Sequence, residues 1–232
     1  IPAYNEAENI PLFIPALAKN LTELGVKFEI IVVDDGSKDS TLASLQPLLA
    51  LYPLKVFALS RNFGKEAAIT AGLDQVSGNV TLLIDADFQH PISAITTMLD
   101  LWRSGYDMVY GIRNRETEGA IKQWLTRKFY STLNRISAID IPADAGDFRL
   151  MDRRVVDALR DLPERTLYMK GLYAWVGFRS IGVHFTEAER HAGESNFNWK
   201  RLTGLAMTGL TAFSDLPLRI CIFLGAFIAL MA

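Results

Sequence analysis

Short apolar runs recur through the first half of the chain, each followed by a polar cluster and then by a longer stretch with helical spacing. Residues 1–4 read as the end of a strand, with Asn5 capping a helix to about Leu24. Further strands are predicted at residues 28–33, 54–59, 80–84 and 108–112. Helices are predicted at residues 40–52 and 64–76 and after Pro91. Continuous apolar strands alternating with helices predict an α/β fold whose mainly parallel sheet is covered on both faces. Ligands of such sheets lie beyond the carboxyl ends of the strands. Tyr4-Asn5-Glu6, Asp34-Asp35, Ser60-Arg61-Asn62, Asp85-Asp87 and Arg113 all fall at those ends.

The second half is patterned differently. Residues 113–138 are helical and basic, with Arg113, Arg115, Lys122, Arg127, Lys128 and Arg135; most of these suit a solvated helix face. Residues 144–190 are mixed, with a strand expected at 179–186. Between 197 and 214 no residue is acidic, and Trp199, Leu202, Leu205, Met207, Leu210 and Phe213 recur at roughly helical spacing. That stretch fits either a helix packed on the sheet or one lying in a membrane interface, with Lys200 and Arg201 facing headgroups. Residues 220–232 carry no charge. They are fewer than the roughly 20 needed to cross a bilayer. The run stops with the chain, so a truncated transmembrane helix is favoured over a buried core helix. Lys200, Arg201 and Arg219 precede it, which puts the domain on the cytoplasmic side. The expected organisation is a catalytic domain over 1–196, an amphipathic interface helix over 197–215 and the start of a transmembrane segment over 216–232.

Composition narrows the chemistry. With 232 residues and half of them apolar, one domain of α/β size is expected. A formal charge of −2 argues against a general nucleic-acid binder. Cys221 is the single cysteine, so neither a disulfide framework nor a cysteine zinc site is available. His90, His184 and His191 are too scattered for a zinc site. Glycine fingerprints of dinucleotide and P-loop enzymes and the serine nucleophile elbow are absent.

Asp85-Ala86-Asp87-Phe88-Gln89 is the most informative segment. Two carboxylates stand two residues apart where a buried strand ends, and burying such a pair without a cation is costly. A divalent ion carrying phosphates would neutralise them; solvated turn aspartates closed by Pro91 are the alternative.

Three segments together resemble inverting glycosyltransferases of family 2 with the GT-A nucleotide-sugar fold. They are Pro2-Ala3-Tyr4-Asn5-Glu6, the run from Asp34-Asp35-Gly36-Ser37 to Thr41, and Asp85-Ala86-Asp87. Arg61-Asn62-Phe63-Gly64-Lys65-Glu66, Gly146-Asp147-Phe148-Arg149-Leu150-Met151, Met169-Lys170-Gly171 and the run from Ala188-Glu189-Arg190 to Ser195 narrow the likeness. They resemble the bacterial polyisoprenyl-phosphate glycosyltransferases, bactoprenol glucosyltransferases above all, with dolichyl-phosphate mannose synthases further off. The resemblance spans essentially the whole chain.

It implies that Pro2, Tyr4, Glu6, Val33 and Asp35 hold the nucleoside. Asp85, Ala86 and Asp87 would meet the diphosphate, and Asp87 and Gln89, with Asp85 beside them, would bind Mg²⁺ or Mn²⁺. Arg113 and Arg190 would bind phosphate, with surface ion pairing as their alternative. Arg127, Ser131 and Lys200 would meet the lipid phosphate, Lys200 from the helical turn after Asn196. Asp147 would orient sugar and acceptor or act as base, the alternative being a loop aspartate paired with Arg149; with Asp87 and Arg190 it completes the implied catalytic set. The implied reaction is inverting transfer of a hexose, glucose from UDP-glucose above all, to undecaprenyl phosphate at the inner membrane by an integral, homo-oligomeric enzyme. Another donor (GDP-mannose, UDP-aminoarabinose or a UDP-N-acetylhexosamine) or a catalytically silent membrane scaffold stands as the rival. Asn196 replaces a lysine common in such proteins, which puts donor affinity or nucleotide preference in question.

Overall fold

The computed structural model describes residues 1–114, 145–162, 169–186, 222 and 228–231. The chain divides into two compact units. The first comprises Ile1–Asn114, Asp144–Leu167 and Val176–Ser195; the second comprises Arg115–Ala143, Tyr168–Trp175 and Asn196–Ala232.

In the first unit, β1 (Pro2–Ala3), β2 (Ile30–Asp34) and β3 (Leu54–Ala58) form a parallel three-stranded sheet with β2 central. A four-stranded sheet contains β4 (Val80–Leu83), β5 (Met108–Arg113), β6 (Ala145–Asp152) and β7 (Ser180–Phe185) in the order β4-β6-β5-β7. Here β5 and β7 are parallel, whereas β6 runs antiparallel between β4 and β5. The pairing is therefore mostly parallel with one reversed strand. Sequence pattern left that strand inside an unassigned stretch, because Gly146, Asp147 and Arg149 interrupt its apolar run.

The helices are α1 (Ile10–Glu23), α2 (Thr41–Leu45), α3 (Lys65–Gln75), α4 (Ala94–Arg103) and α5 (Arg153–Arg160). Strand β2 is buried throughout, which explains its continuous Ile-Ile-Val-Val run. Ile30 and Val32 join the main core with Phe13 and Ile14 of α1, Ile95 and Met98 of α4, and Ile84, Val109, Phe148 and Leu150. Ile31 and Val33 point to the other face and pack with Ala68 of α3. Each large aliphatic or aromatic side chain buried in this way contributes about 1.5–3 kcal/mol.

One helix start and one helix length differ from the sequence expectation. Helix α1 begins at Ile10 behind Asn9, with Pro11 in its first turn, whereas Asn5 takes a left-handed backbone (φ 56°). The segment expected as one helix from 40 to 52 breaks after Leu45 into a 3₁₀ turn at Gln46–Ala50, since Pro47 cannot donate to the α-helical ladder.

In the second unit, α6 (Met169–Trp175) is described, together with helical residues at 222 and 228–231. No helix among the described residues is long and apolar enough to cross a membrane. Most of 197–232, where the interface helix and span were expected, lies outside the described residues.

Candidate active site

Parallel strands bring their carboxyl ends to one rim, and three rim loops lock together there. Asn5 donates its backbone N–H to Ser37 Oγ (2.9 Å) and accepts from the Lys38 amide (2.9 Å). The Glu6 amide donates to Thr41 Oγ1 (2.8 Å), and the Ala7 amide to Asp39 Oδ2 (3.1 Å). Burial disfavours the charge on Asp39, but hydrogen bonds from Thr41 and the Ala7 amide outweigh it and hold its carboxyl below the usual range. Glu6 itself accepts from Asn9 Nδ2 (2.7 Å).

Asp35, buried at the end of β2, accepts from the amides of Phe63 (2.7 Å) and Gly64 (2.9 Å), one on each carboxylate oxygen. Those bonds staple the loop after β3 to β2. A side chain at Gly36 would stand 2.3 Å from the Arg61 carbonyl carbon, and its φ is +66°. Glycine is required on both counts. Asp34 is also buried; one oxygen accepts from the Ser37 amide (3.1 Å) and the other has no hydrogen-bond partner among the described residues.

The staple launches α3, and Lys65 is that helix's first residue. Its ammonium lies 2.7 Å from Asp85 Oδ2, just beyond β4, and 3.0 Å from Asp147 Oδ2 on β6. Because β6 is antiparallel, its start reaches the same rim as the ends of β4 and β5; Ala145 stands opposite Ile112. Burial would lower the Lys65 pKa, but the charges of Asp85 and Asp147 dominate and raise it above its ordinary value. His90 Nδ1 is 4.0 Å from Asp85 Oδ2, and its ring stacks on Phe148 at 4.8 Å. Burial pushes this imidazole down against the pull of Asp85, favouring the neutral form.

Between these groups the backbone is strained. Phe88 has φ 62°, an uncommon conformation for a bulky residue, and its ring packs edge-on against Phe13 at 5.1 Å. The turn it makes lets the Gln89 amide donate to Asp87 Oδ1 (3.1 Å). Asp87 is buried. The carboxylates of Asp85 and Asp87 and the side-chain amide oxygen of Gln89 are hard oxygen donors after one strand, a set that fits Mg²⁺ or Mn²⁺ arriving with phosphate oxygens. Among the described residues no three His, Cys, Asp or Glu are grouped to hold an ion by themselves.

The rim thus gathers Tyr4, Glu6 and Asp35 on the parallel half, and Asp85, Asp87, Gln89 and Asp147 on the mixed half. Pro2 sits in β1, opposite Val33. The Val33 side chain packs beneath α3, beside Gly72, and the Ala86 side chain is in the core, so only their backbone groups face away from packed side chains. Arg113 ends β5 and is exposed. Asp147 meets Lys65, while Arg149 donates to the Gly146 carbonyl (3.1 Å). Arg127, Ser131, Arg190, Asn196 and Lys200 lie outside the described residues. A separate cavity of about 600 Å³, lined by aliphatic residues such as Ile31, Val33, Ile69, Leu73 and Leu83, reaches none of the rim carboxylates.

Sequence reasoning did not single out Lys65 or His90. A signal existed for the first. A lysine in the first turn of a helix opposes the helix dipole, so it needs carboxylates from elsewhere.

Residues 1–160 match the model of the glycosyl transferase family 2. A Synechocystis protein named uncharacterized glycosyltransferase sll0501 is 45% identical over the whole chain and 74% of its own length. The bactoprenol glucosyl transferase of Shigella phage SfV is 42% identical over 99% of this chain and 75% of that protein. Among solved structures, glucosyl-3-phosphoglycerate synthase from Mycobacterium tuberculosis aligns with a TM-score of 0.58 at 18% identity, over 90% of this chain and 77% of that one. The Pyrobaculum calidifontis mannosyltransferase, solved with GDP-mannose and Mn²⁺, aligns with a TM-score of 0.54 at 19% identity, over 99% of this chain and 79% of that one.

Proposed function

The chain belongs to glycosyltransferase family 2, and from that premise we propose that it transfers glucose from UDP-glucose to a polyisoprenyl phosphate, with inversion. The observation that carries the reading is the meeting of Asp85, Asp147 and Lys65 from three separate elements beside Asp87, on the rim where nucleotide ligands of such sheets bind. The name of the phage relative supports the acceptor and the sugar.

In this reading the nucleoside lies over the parallel half, against Tyr4, Glu6 and the backbone of Pro2 and Val33. Asp35 keeps lone pairs beyond the two amides it binds, and these accept from the nucleoside. Asp87 and Gln89, with Asp85, hold a divalent ion; two solved neighbours contain Mn²⁺. When bound, that ion offsets the charge of the diphosphate leaving group. Arg113 and Arg190 provide guanidinium forks for phosphate.

The acceptor is a phosphate monoester whose second pKa is about 6, so at neutral pH it is largely dianionic and already nucleophilic. Little proton abstraction is needed, and the main demand is to bring two anions together. Asp147 then serves to orient sugar and acceptor. Its pairing with Lys65 suits orientation better than proton abstraction. Arg127, Ser131 and Lys200 are proposed to meet the lipid phosphate, with the 197–232 region holding the enzyme at the cytoplasmic face of the inner membrane. The lipid phosphate oxygen attacks the anomeric carbon on the face opposite the departing nucleoside diphosphate, and this direct displacement inverts the anomeric configuration.

The test is transfer of labelled sugar from a panel of UDP- and GDP-sugars to undecaprenyl phosphate in detergent with Mn²⁺. Labelled glucosyl lipid of inverted configuration, lost in Asp87→Asn and kept in Asp74→Asn, is expected. Transfer from GDP-mannose alone would overturn the sugar assignment; no transfer from any donor would overturn the enzymatic reading.

A further inference from the structure

Lys65 stands against its local setting. It opens α3, where the helix dipole presents positive charge and the first-turn preference is for acids. Gly64 before it has φ 99°, and the amides of Phe63 and Gly64 are both fixed by Asp35. The chain therefore uses a buried carboxylate and a glycine-only backbone to aim one lysine at two carboxylates from other strands. Breaks in local preference that the rest of the structure supports in this way mark functional positions.

The charge pattern says what the lysine does. Asp85 and Asp147 both lie against one ammonium, at 2.7 and 3.0 Å. Without it, two carboxylates would face each other within the reach of a single side chain, and like charges at that range repel. With it, Asp85 is half-neutralised, so a free divalent ion finds a weaker site there than the carboxylates alone would make. Side-chain exposure of 40% leaves the ammonium room to turn away.

We propose that Lys65 is an exchangeable internal counter-cation: it bridges Asp85 and Asp147 in the ligand-free enzyme, then releases Asp85 and keeps Asp147 when the nucleotide sugar and its ion enter. Lys65 acts through the two aspartates and is a positioning residue. The bridge suppresses binding of a bare ion and couples ion binding to the nucleotide. This inference rests on the function proposed above.

The experiment is an electron paramagnetic resonance titration of free Mn²⁺ against the full chain, with and without UDP. Wild type is expected to bind Mn²⁺ weakly alone and tightly with UDP. K65Q removes a unit charge a few ångströms from the ion site and is expected to bind bare Mn²⁺ about tenfold more tightly, with less gain on adding UDP. K65R is expected to behave as wild type. Equal bare-ion affinity in K65Q and wild type would overturn the inference. A second measurement needs no variant: a crystal structure with Mn²⁺ and UDP bound should show the Lys65 ammonium withdrawn from Asp85 and still on Asp147. An ammonium still bridging both carboxylates would overturn the inference as well. Wild-type enzyme that transfers sugar while either result fails leaves the proposed function standing; absence of transfer in wild type removes the function itself.

Discussion

Asp35→Asn tests the wiring of the rim most sharply. The carboxylate accepts two amide N–H groups, at 2.7 and 2.9 Å, in a buried position. Hydrogen bonds to a charged group contribute about 1.5–3 kcal/mol each. Asparagine retains one acceptor oxygen, at about 1 kcal/mol for a neutral bond, and turns an NH₂ toward the other amide. The expected loss is about 2–5 kcal/mol. That is a large fraction of the roughly 5–15 kcal/mol that holds a domain together. Urea denaturation followed by circular dichroism measures it directly, provided the slope of free energy against urea is unchanged. The same substitution loosens the loop that starts α3, so Lys65 loses its aim and UDP affinity falls with stability. Should Asp35→Asn leave the urea midpoint in place and only weaken UDP binding, Asp35 serves the nucleoside alone and the staple does not exist.

Gly36→Ala places a Cβ against the Arg61 and Asn62 backbone at 2.3–2.7 Å and forces a left-handed alanine, so it should cost more than the roughly 1–2 kcal/mol of the conformation alone; an unchanged melting temperature contradicts this. Asp87→Asn should lower sugar transfer at least about 100-fold while Asp74→Asn on α3 leaves it intact; equal loss in both refutes the assigned site. Hydrogen bonds from Lys55 and then Ser77 hold Glu29 down at about 2. Its folded value lies below its unfolded one, so its stabilisation is complete above the unfolded value and disappears as pH falls toward about 2. Glu29→Gln should therefore flatten the acid limb of melting temperature against pH; parallel curves for the two proteins argue otherwise.

The parallel half of the fold was readable because its signals are local. Ile30 to Val33 form an uninterrupted apolar run with acids directly after it, and a buried parallel strand has no other way to appear in sequence. The mixed half was not. Strand β6 carries Gly146, Asp147 and Arg149 because its start lines the rim and its arginine packs over Tyr110, so polar placement masked the period. The rim carboxylates were legible one by one, as charges where strands end. Their partners were not, since Lys65 lies 20 residues from Asp85 along the chain and meets it only through the staple on Asp35. Pro47 shortened a predicted helix by a rule that sequence already contained.

Calorimetric titration of UDP into the purified chain, once with Mn²⁺ and once with EDTA, reaches the central claim with least intervening chemistry. Binding in Mn²⁺, loss of most of that affinity in EDTA, and a matching loss in Asp87→Asn with Mn²⁺ present are predicted. Equal UDP affinity in all three titrations would show that the acids after β4 gather no ion for the diphosphate, contradicting the account at its base.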